Sequence, residues 1–176
     1  MKMTLPVNQQ RTITLAALPD GVAGIRATLA LMVKLAQQSK SSFVVRDKAL
    51  TLVAGVKQKS WMNEVRAIQE YVRDEIRYVK DINGIETLAT PVQTMQLMQG
   101  DCDDKSLLTA ALLESIGHPT RFVAVGHLQG VYEHVLVETQ IRVKGGAIQW
   151  VPVETTEPVP VGWYPPGMTQ RLVYNV

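Results

Sequence analysis

Residues 100–126 read GDCDDKSLLTAALLESIGHPTRFVAVG, and the fold turns on where this stretch changes its period. Leu107, Leu108, Ala111, Leu112 and Ile116 recur at three- and four-residue spacing, the mark of a helix with a buried side. Asp101 is placed to cap its start, and Asp104, third in the helix, adds a second carboxylate near the first-turn amides. Gly117 suits the left-handed residue that closes a helix, and Pro119 prevents continuation. From Thr120 the pattern becomes strand-like. A helix rich in Leu and Ala, expected at the centre of the molecule, thus hands over directly to a sheet. Cys102, the only cysteine of the 176-residue chain, falls in its first turn.

Downstream, TRFVAVGH (120–127), VYEHVLVETQIRV (131–143) and AIQWVPVET (147–155) predict three strands, at least two of them antiparallel neighbours. The closing EPVPVGWYPPGMTQRLVYNV holds Pro158, Pro160, Pro165 and Pro166 and reads as an extended tail lying on the domain. Upstream, Val22, Ile25, Leu29, Met32, Val33 and Ala36 predict a helix from Asp20, its cap, to about Gln38. A weaker helix is expected over 45–58 on Val45, Ala49, Leu52, Val53 and Val56. A third is expected over 61–79, with Val65, Ile68, Val72, Ile76 and Val79 inward and Glu64, Arg66, Glu70, Arg73 and Glu75 toward solvent. KDINGIETLATP reads as loop, with a turn at Asn83-Gly84 and a helix-averse residue before Pro91. The expected class is α+β, with N-terminal helices and a central cysteine-bearing helix packed on an antiparallel sheet. One domain over 1–176 is expected, comprising a helical part (1–60), a core (61–157) and a Pro-rich tail (158–176).

Composition narrows the function classes. The net charge of +2 comes from 18 basic and 16 acidic residues with no basic block, so neither nucleic acid nor anionic membrane is an expected partner. No run of 18 apolar residues and no signal-like N-terminus occurs, and one cysteine excludes an internal disulfide; a soluble protein of a reducing compartment is expected.

In the strand 131–143, alternation puts Val135, Val137, Thr139 and Ile141 on one face and His134, Leu136, Glu138 and Gln140 on the other. The turn before the next strand has two readings. A two-residue Gly145-Gly146 turn pairs Lys144 with Ala147 and points Glu154 away from His134. A three-residue Lys144-Gly145-Gly146 loop pairs Val143 with Ala147, His134 with Thr156 and Leu136 with Glu154, making Glu154 and His134 diagonal neighbours within hydrogen-bond reach. A cysteine at a helix N-terminus, a histidine on a strand and a carboxylate beside it are the parts of a thiol acyl-transfer site. The helix end and an imidazolium favour the thiolate, the carboxylate sets the ring tautomer, and first-turn amides can serve an oxyanion.

GDCDDKSLLTAALLESIGHPTRFVAVG, EHVLVE and WVPVET together resemble the transglutaminase-like domain of the papain-like cysteine peptidase superfamily. Its core runs Gly-x-Cys before a helix, then His and Asp on successive strands. IRYVKD and TPVQTMQLMQG resemble the version found among phage and prophage proteins. The likeness covers about 65–165. It implies that Cys102 is the nucleophile, His134 the general base and acid, and Glu154 the orienting carboxylate. It further implies an amide or peptide hydrolase or transamidase with no cofactor and no metal, acting on a protein or peptide-like amide in a bacterial cytoplasm or on a virion. Two positions depart from the family: Glu154 stands where Asp is usual, and Val135 follows the histidine where many members have Trp.

Other readings compete. The same fold could serve as a catalytically silent phage assembly module, binding phage structural proteins through its helices and tail. Clustered oxygens at Asp101, Asp103 and Asp104 with His134 could hold a hard cation, although no loop spacing matches a known site. Asp103 and Asp104 would raise the thiol pKa if close, but adjacent helical positions are expected to point away from Cys102. His118 is expected in an exposed loop, His127 is a weaker rival base at a strand end, and Glu138 is expected to face solvent. Trp150, Trp163 and Tyr164 read as core and tail anchors, and Gln96 or Gln99 as conceivable side-chain donors to an oxyanion.

Overall fold

The structure, a computed structural model, describes residues 12–14, 21–81, 87–143 and 145–176, the first of these as backbone only. In chain order its elements are β1 (Thr12–Thr14), α1 (Val22–Ser39), α2 (Phe43–Val53), α3 (Trp61–Asp74), β2 (Arg77–Tyr78), β3 (Thr87–Ala89) and α4 (Pro91–Leu97). There follow β4 (Gln99–Gly100), α5 (Cys102–Ser115), β5 (Thr120–Gly126), β6 (His134–Arg142), β7 (Ile148–Val153) and β8 (Gln170–Asn175).

The helix expected at the centre is there: Asp104 through Leu113 of α5 are all buried. A helix buried all round needs neighbours on every side. α1, α2, α3 and α4 supply one side and β5 and β6 the other. The sheet is antiparallel in the order β7-β6-β5-β8. Phe122, Ala124, Val135, Val137 and Val153 of the sheet share one buried cluster with Leu107 and Leu112 of α5 and with Leu29, Met32, Val45 and Ile68 of the outer helices. On the opposite face Val123, Val125 and Leu136 are covered by Tyr164 and Met168 of the tail. The molecule is thus the α+β arrangement that the change of period at Thr120 predicts.

Several expectations need correction. α1 starts at Val22, behind Gly21 at φ 67 with no side-chain cap; Asp20 and the Asn83-Gly84 turn lie outside the described residues. α2 is shorter than 45–58 and shifted toward its N-terminus. α3 ends at Asp74 rather than 79, because the chain turns there to set Arg77 and Tyr78 parallel to Gln99 and Gly100. Ile76 stays buried by this route, whereas Val79 is exposed. The TPVQTMQL stretch forms α4, too short to show a period, with Thr90 accepting from Gln93 N at 3.3 Å and Pro91 at the first helical position. Beyond its last proline the tail becomes a fourth strand, β8, on the free edge of β5.

β8 also explains Glu138. Expected in solvent, it is buried, accepting from Arg121 Nε at 2.7 Å and from Arg171 Nη2 of β8 at 2.8 Å. His118 is likewise not an exposed loop residue. It is 1% exposed, bonded through Nε2 to Glu64 at 2.8 Å and edge-on to Trp61, so Glu64 is not a solvent-facing residue either.

Candidate active site

Cys102 is the first residue of α5, and the helix start is held from two directions. Asp101 Oδ1 accepts from the amides of Asp103 and Asp104 at 3.0 and 3.1 Å, the cap that the sequence predicts. Asp104 has a different role from the one expected: its side chain is buried and Oδ1 accepts from Ala89 N at 2.7 Å, tying β3 to α5. Gly100 makes room for this, since a Cβ there would come within 2.6 Å of Asp104 Cβ. Because the Asp103 and Asp104 amides serve the cap, they are not the donors an oxyanion would need.

The sulfur meets the sheet at Val135, the neighbour of His134. The Val135 amide donates to Sγ, and Ser106, one helical turn on, donates its hydroxyl to Val135 O at 3.0 Å. Cys102 and Ser106 so engage both backbone groups of one residue of β6. Asp103 does not point away as expected; the thiol lies 3.6 Å from its Oδ1. Burial pushes the Cys102 thiol well above the ordinary thiol range, Asp103 and Asp101 add to the rise, and the Val135 amide opposes it. The resting sulfur is a neutral thiol.

The turn between β6 and β7 takes the three-residue form. Val143 N donates to Ala147 O at 2.8 Å and Gly146 N to Val143 O at 3.0 Å, with Arg142 opposite Ile148; Lys144 itself lies outside the described residues. The ladder runs to Val137 opposite Val153, and one further step sets Leu136 against Glu154. At the start of β6, Glu133 N donates at 2.9 Å to Val125 O, the residue opposite His134. Two successive residues therefore oppose one, a β-bulge that bends the strand where the histidine stands.

His134 Nε2 lies 2.7 Å from Glu154 Oε2. The other oxygen, Oε1, accepts from Thr155 N at 2.8 Å, Thr156 N at 2.6 Å and Thr156 Oγ1 at 2.7 Å. Burial alone would raise the Glu154 pKa, but the His134 bond and charge and the Thr156 donors outweigh it and hold the carboxyl below its ordinary value. An ionised carboxylate only accepts, so Nε2 carries the ring proton and Nδ1 is the basic nitrogen.

Sequence reasoning missed four residues around these groups. Ser106 was findable as the position one turn after Cys102. Gln69 was findable as a polar residue on the Val65, Ile68, Val72 stripe; it is fully buried and donates to Glu154 O at 2.8 Å. Lys105, also buried, donates to Ile76 O at 2.7 Å and Arg73 O at 3.3 Å, and burial lowers its pKa to about 8. Tyr78 stands opposite Gly100. Burial and the nearby Asp101, Asp103 and Glu154 carboxylates raise its pKa, keeping the phenol protonated. Of the rivals, His127 is bonded to Glu133 at 2.6 Å in solvent. Gln99 Oε1 accepts from Arg77, and Gln96 is exposed on α4. Among the described residues no group of three His, Cys, Asp or Glu side chains could hold a metal ion, and no helix is long and apolar enough to cross a membrane.

The structure is similar to that of a candidate protease from Parabacteroides distasonis, with a TM-score of 0.56 and 17% identity over 77% of this chain and 26% of the other. It also matches a candidate cysteine protease from Cytophaga hutchinsonii, with a TM-score of 0.49 and 17% identity over 93% of this chain and 57% of the other. The chain thus spans 26% and 57% of these two proteins. At such identity the first likeness speaks to fold alone. No protein of curated function matches the sequence. The family model of the transglutaminase-like superfamily matches residues 46–155, a span from α2 to just past Glu154 that includes Cys102 and His134. The chain belongs to the transglutaminase-like superfamily.

Proposed function

We propose that the protein is a thiol acyl-transfer enzyme acting on an amide, with Cys102 as nucleophile, His134 as general base and acid, and Glu154 as the carboxylate that orients the ring. The observation that carries this reading is the 2.7 Å bond between His134 and Glu154, one residue from the amide that contacts the sulfur. Because the resting thiol is neutral, its proton would pass to His134 Nδ1 as the sulfur attacks the carbonyl carbon. The C–N bond would then break, with the proton delivered from His134 to the leaving amine. Water or a second amine would resolve the thioester, giving hydrolysis or transamidation. A protein or peptide-like amide is the proposed substrate, and the likeness of IRYVKD and TPVQTMQLMQG to phage and prophage members supports a phage or prophage origin.

The test is release of amine from a panel of peptide amides. Wild-type protein should turn over at least one of them and Cys102→Ala none; equal rates for both proteins would refute the reading. A second reading, an assembly module of the same fold without turnover that binds phage structural proteins, draws support from the burial and the two carboxylates that raise the Cys102 pKa.

A further inference from the structure

The carboxylate of Glu154 is held by its own neighbours, whereas the backbone that carries it is held from α3. Pairing between β6 and β7 stops at Val137 and Val153, so Glu154 and the segment after it have no ladder partners. Gln69 Nε2 takes their place, donating to Glu154 O at 2.8 Å and to Val159 O at 3.1 Å. Arg73, one turn further along α3, adds a bond from Nη1 to Val159 O at 3.2 Å. Both ends of the 154–159 segment are thereby stitched to one helix. Lys105 fastens the C-terminal end of that helix to α5, the element that carries Cys102, through the carbonyls of Arg73 and Ile76.

As a packing residue Gln69 is a poor choice. It is 0% exposed, and among the described residues its Oε1 has no hydrogen-bond partner. An unpaired buried acceptor costs about 1–3 kcal/mol. A Met of similar length would fill the same space without that oxygen. What Met lacks is the pair of N–H donors, and both reach carbonyls of the Glu154 segment.

We infer that Gln69 is a positioning residue: it fixes the backbone of 154–159 so that Glu154 Oε2 meets His134 Nε2 and holds the ring proton there, leaving Nδ1 to take up the Cys102 proton. This rests on the Cys102, His134 and Glu154 reading above. Because the chain has one cysteine, the rate of carboxamidomethylation by iodoacetamide between pH 6 and 9 reports on that thiol alone.

The experiment is a double-mutant cycle on the full chain with Gln69→Met and Glu154→Gln. Glu154→Gln should slow labelling near pH 7 about tenfold. Gln69→Met should slow it about threefold or more and move its pH profile toward that of Glu154→Gln. Added to Glu154→Gln, it should have no further effect. A Gln69→Met protein that labels like wild type, or that slows labelling by the same factor in both backgrounds, overturns the inference while leaving the triad reading intact. A Glu154→Gln protein that labels like wild type overturns both. Should Gln69→Met fail to fold, Arg73→Ala enters the same cycle, with a smaller slowing expected; no slowing, or an equal one in both backgrounds, then overturns the inference.

Discussion

At the scale of single residues, the site carries a conflict between the helix start and the proposed nucleophile. Three acidic side chains surround Cys102. Asp101 caps the helix, Asp104 anchors β3, and Asp103 lies against the sulfur and raises its pKa. Asp103→Asn removes one negative charge and leaves the cap in place. Thiol labelling at pH 7 to 8 should become several-fold faster, and an unchanged rate would show that Asp103 does not set the thiol. Asp104 is a separate titration, its pKa raised to about 7 by burial and by Asp101. The folded state therefore binds a proton that the unfolded state has lost between about pH 4 and 7, and stability falls as pH rises through that window. Asp104→Asn keeps an acceptor for Ala89 N and removes the titration. Thermal unfolding at pH 5 and pH 8 should show the variant gaining on wild type at the higher pH, by at most about 3 kcal/mol. An equal difference at both pH values would contradict the assignment.

At the scale of elements, the site depends on how β5, β6 and β7 meet. Gly126 ends β5, and a Cβ there would come within 1.9 Å of Val131 O, in the loop that leads to His134. Backbone cannot yield as a side-chain tip can, so Gly126→Ala should cost about 2 kcal/mol or more. It should also slow thiol labelling in whatever fraction still folds, measurable by denaturant unfolding and iodoacetamide together. Labelling and stability both unchanged would mean that the loop has another path. Much of this scale was legible: α5 showed its capping Asp101, its Leu and Ala stripe and its Gly117 stop, and β5 to β7 showed their alternation. The register was not, because Lys144-Gly145-Gly146 admits two turns that differ by one residue. That single step decides whether Glu154 faces His134. α4 was missed because seven residues give too few repeats, and α3 was overextended because Ile76 is buried whether or not the helix continues.

At the scale of the whole molecule, α5 is the shared wall between the outer helices and the sheet, and polar groups lock its neighbours to it. Glu138 gathers Arg121 of β5 and Arg171 of β8, and Lys105 caps the end of α3. These buried polar residues were the least legible part of the sequence, since each reads as a surface residue until a partner from a distant segment is known. β8 is the clearest case. A chain ending at Gly167 would strip the edge of β5 and leave Glu138 with one arginine. It should unfold at lower denaturant and self-associate through the open edge, visible by size-exclusion chromatography; a monomer of undiminished stability would assign β8 no structural role. The proposed triad consists of three residues that this architecture brings to one end of α5. It is tested most directly by the rate of iodoacetamide labelling of Cys102 at pH 7 in wild type and in His134→Ala of equal thermal stability. Losing the imidazole base should slow labelling about tenfold or more; equal rates in the two proteins would overturn the triad.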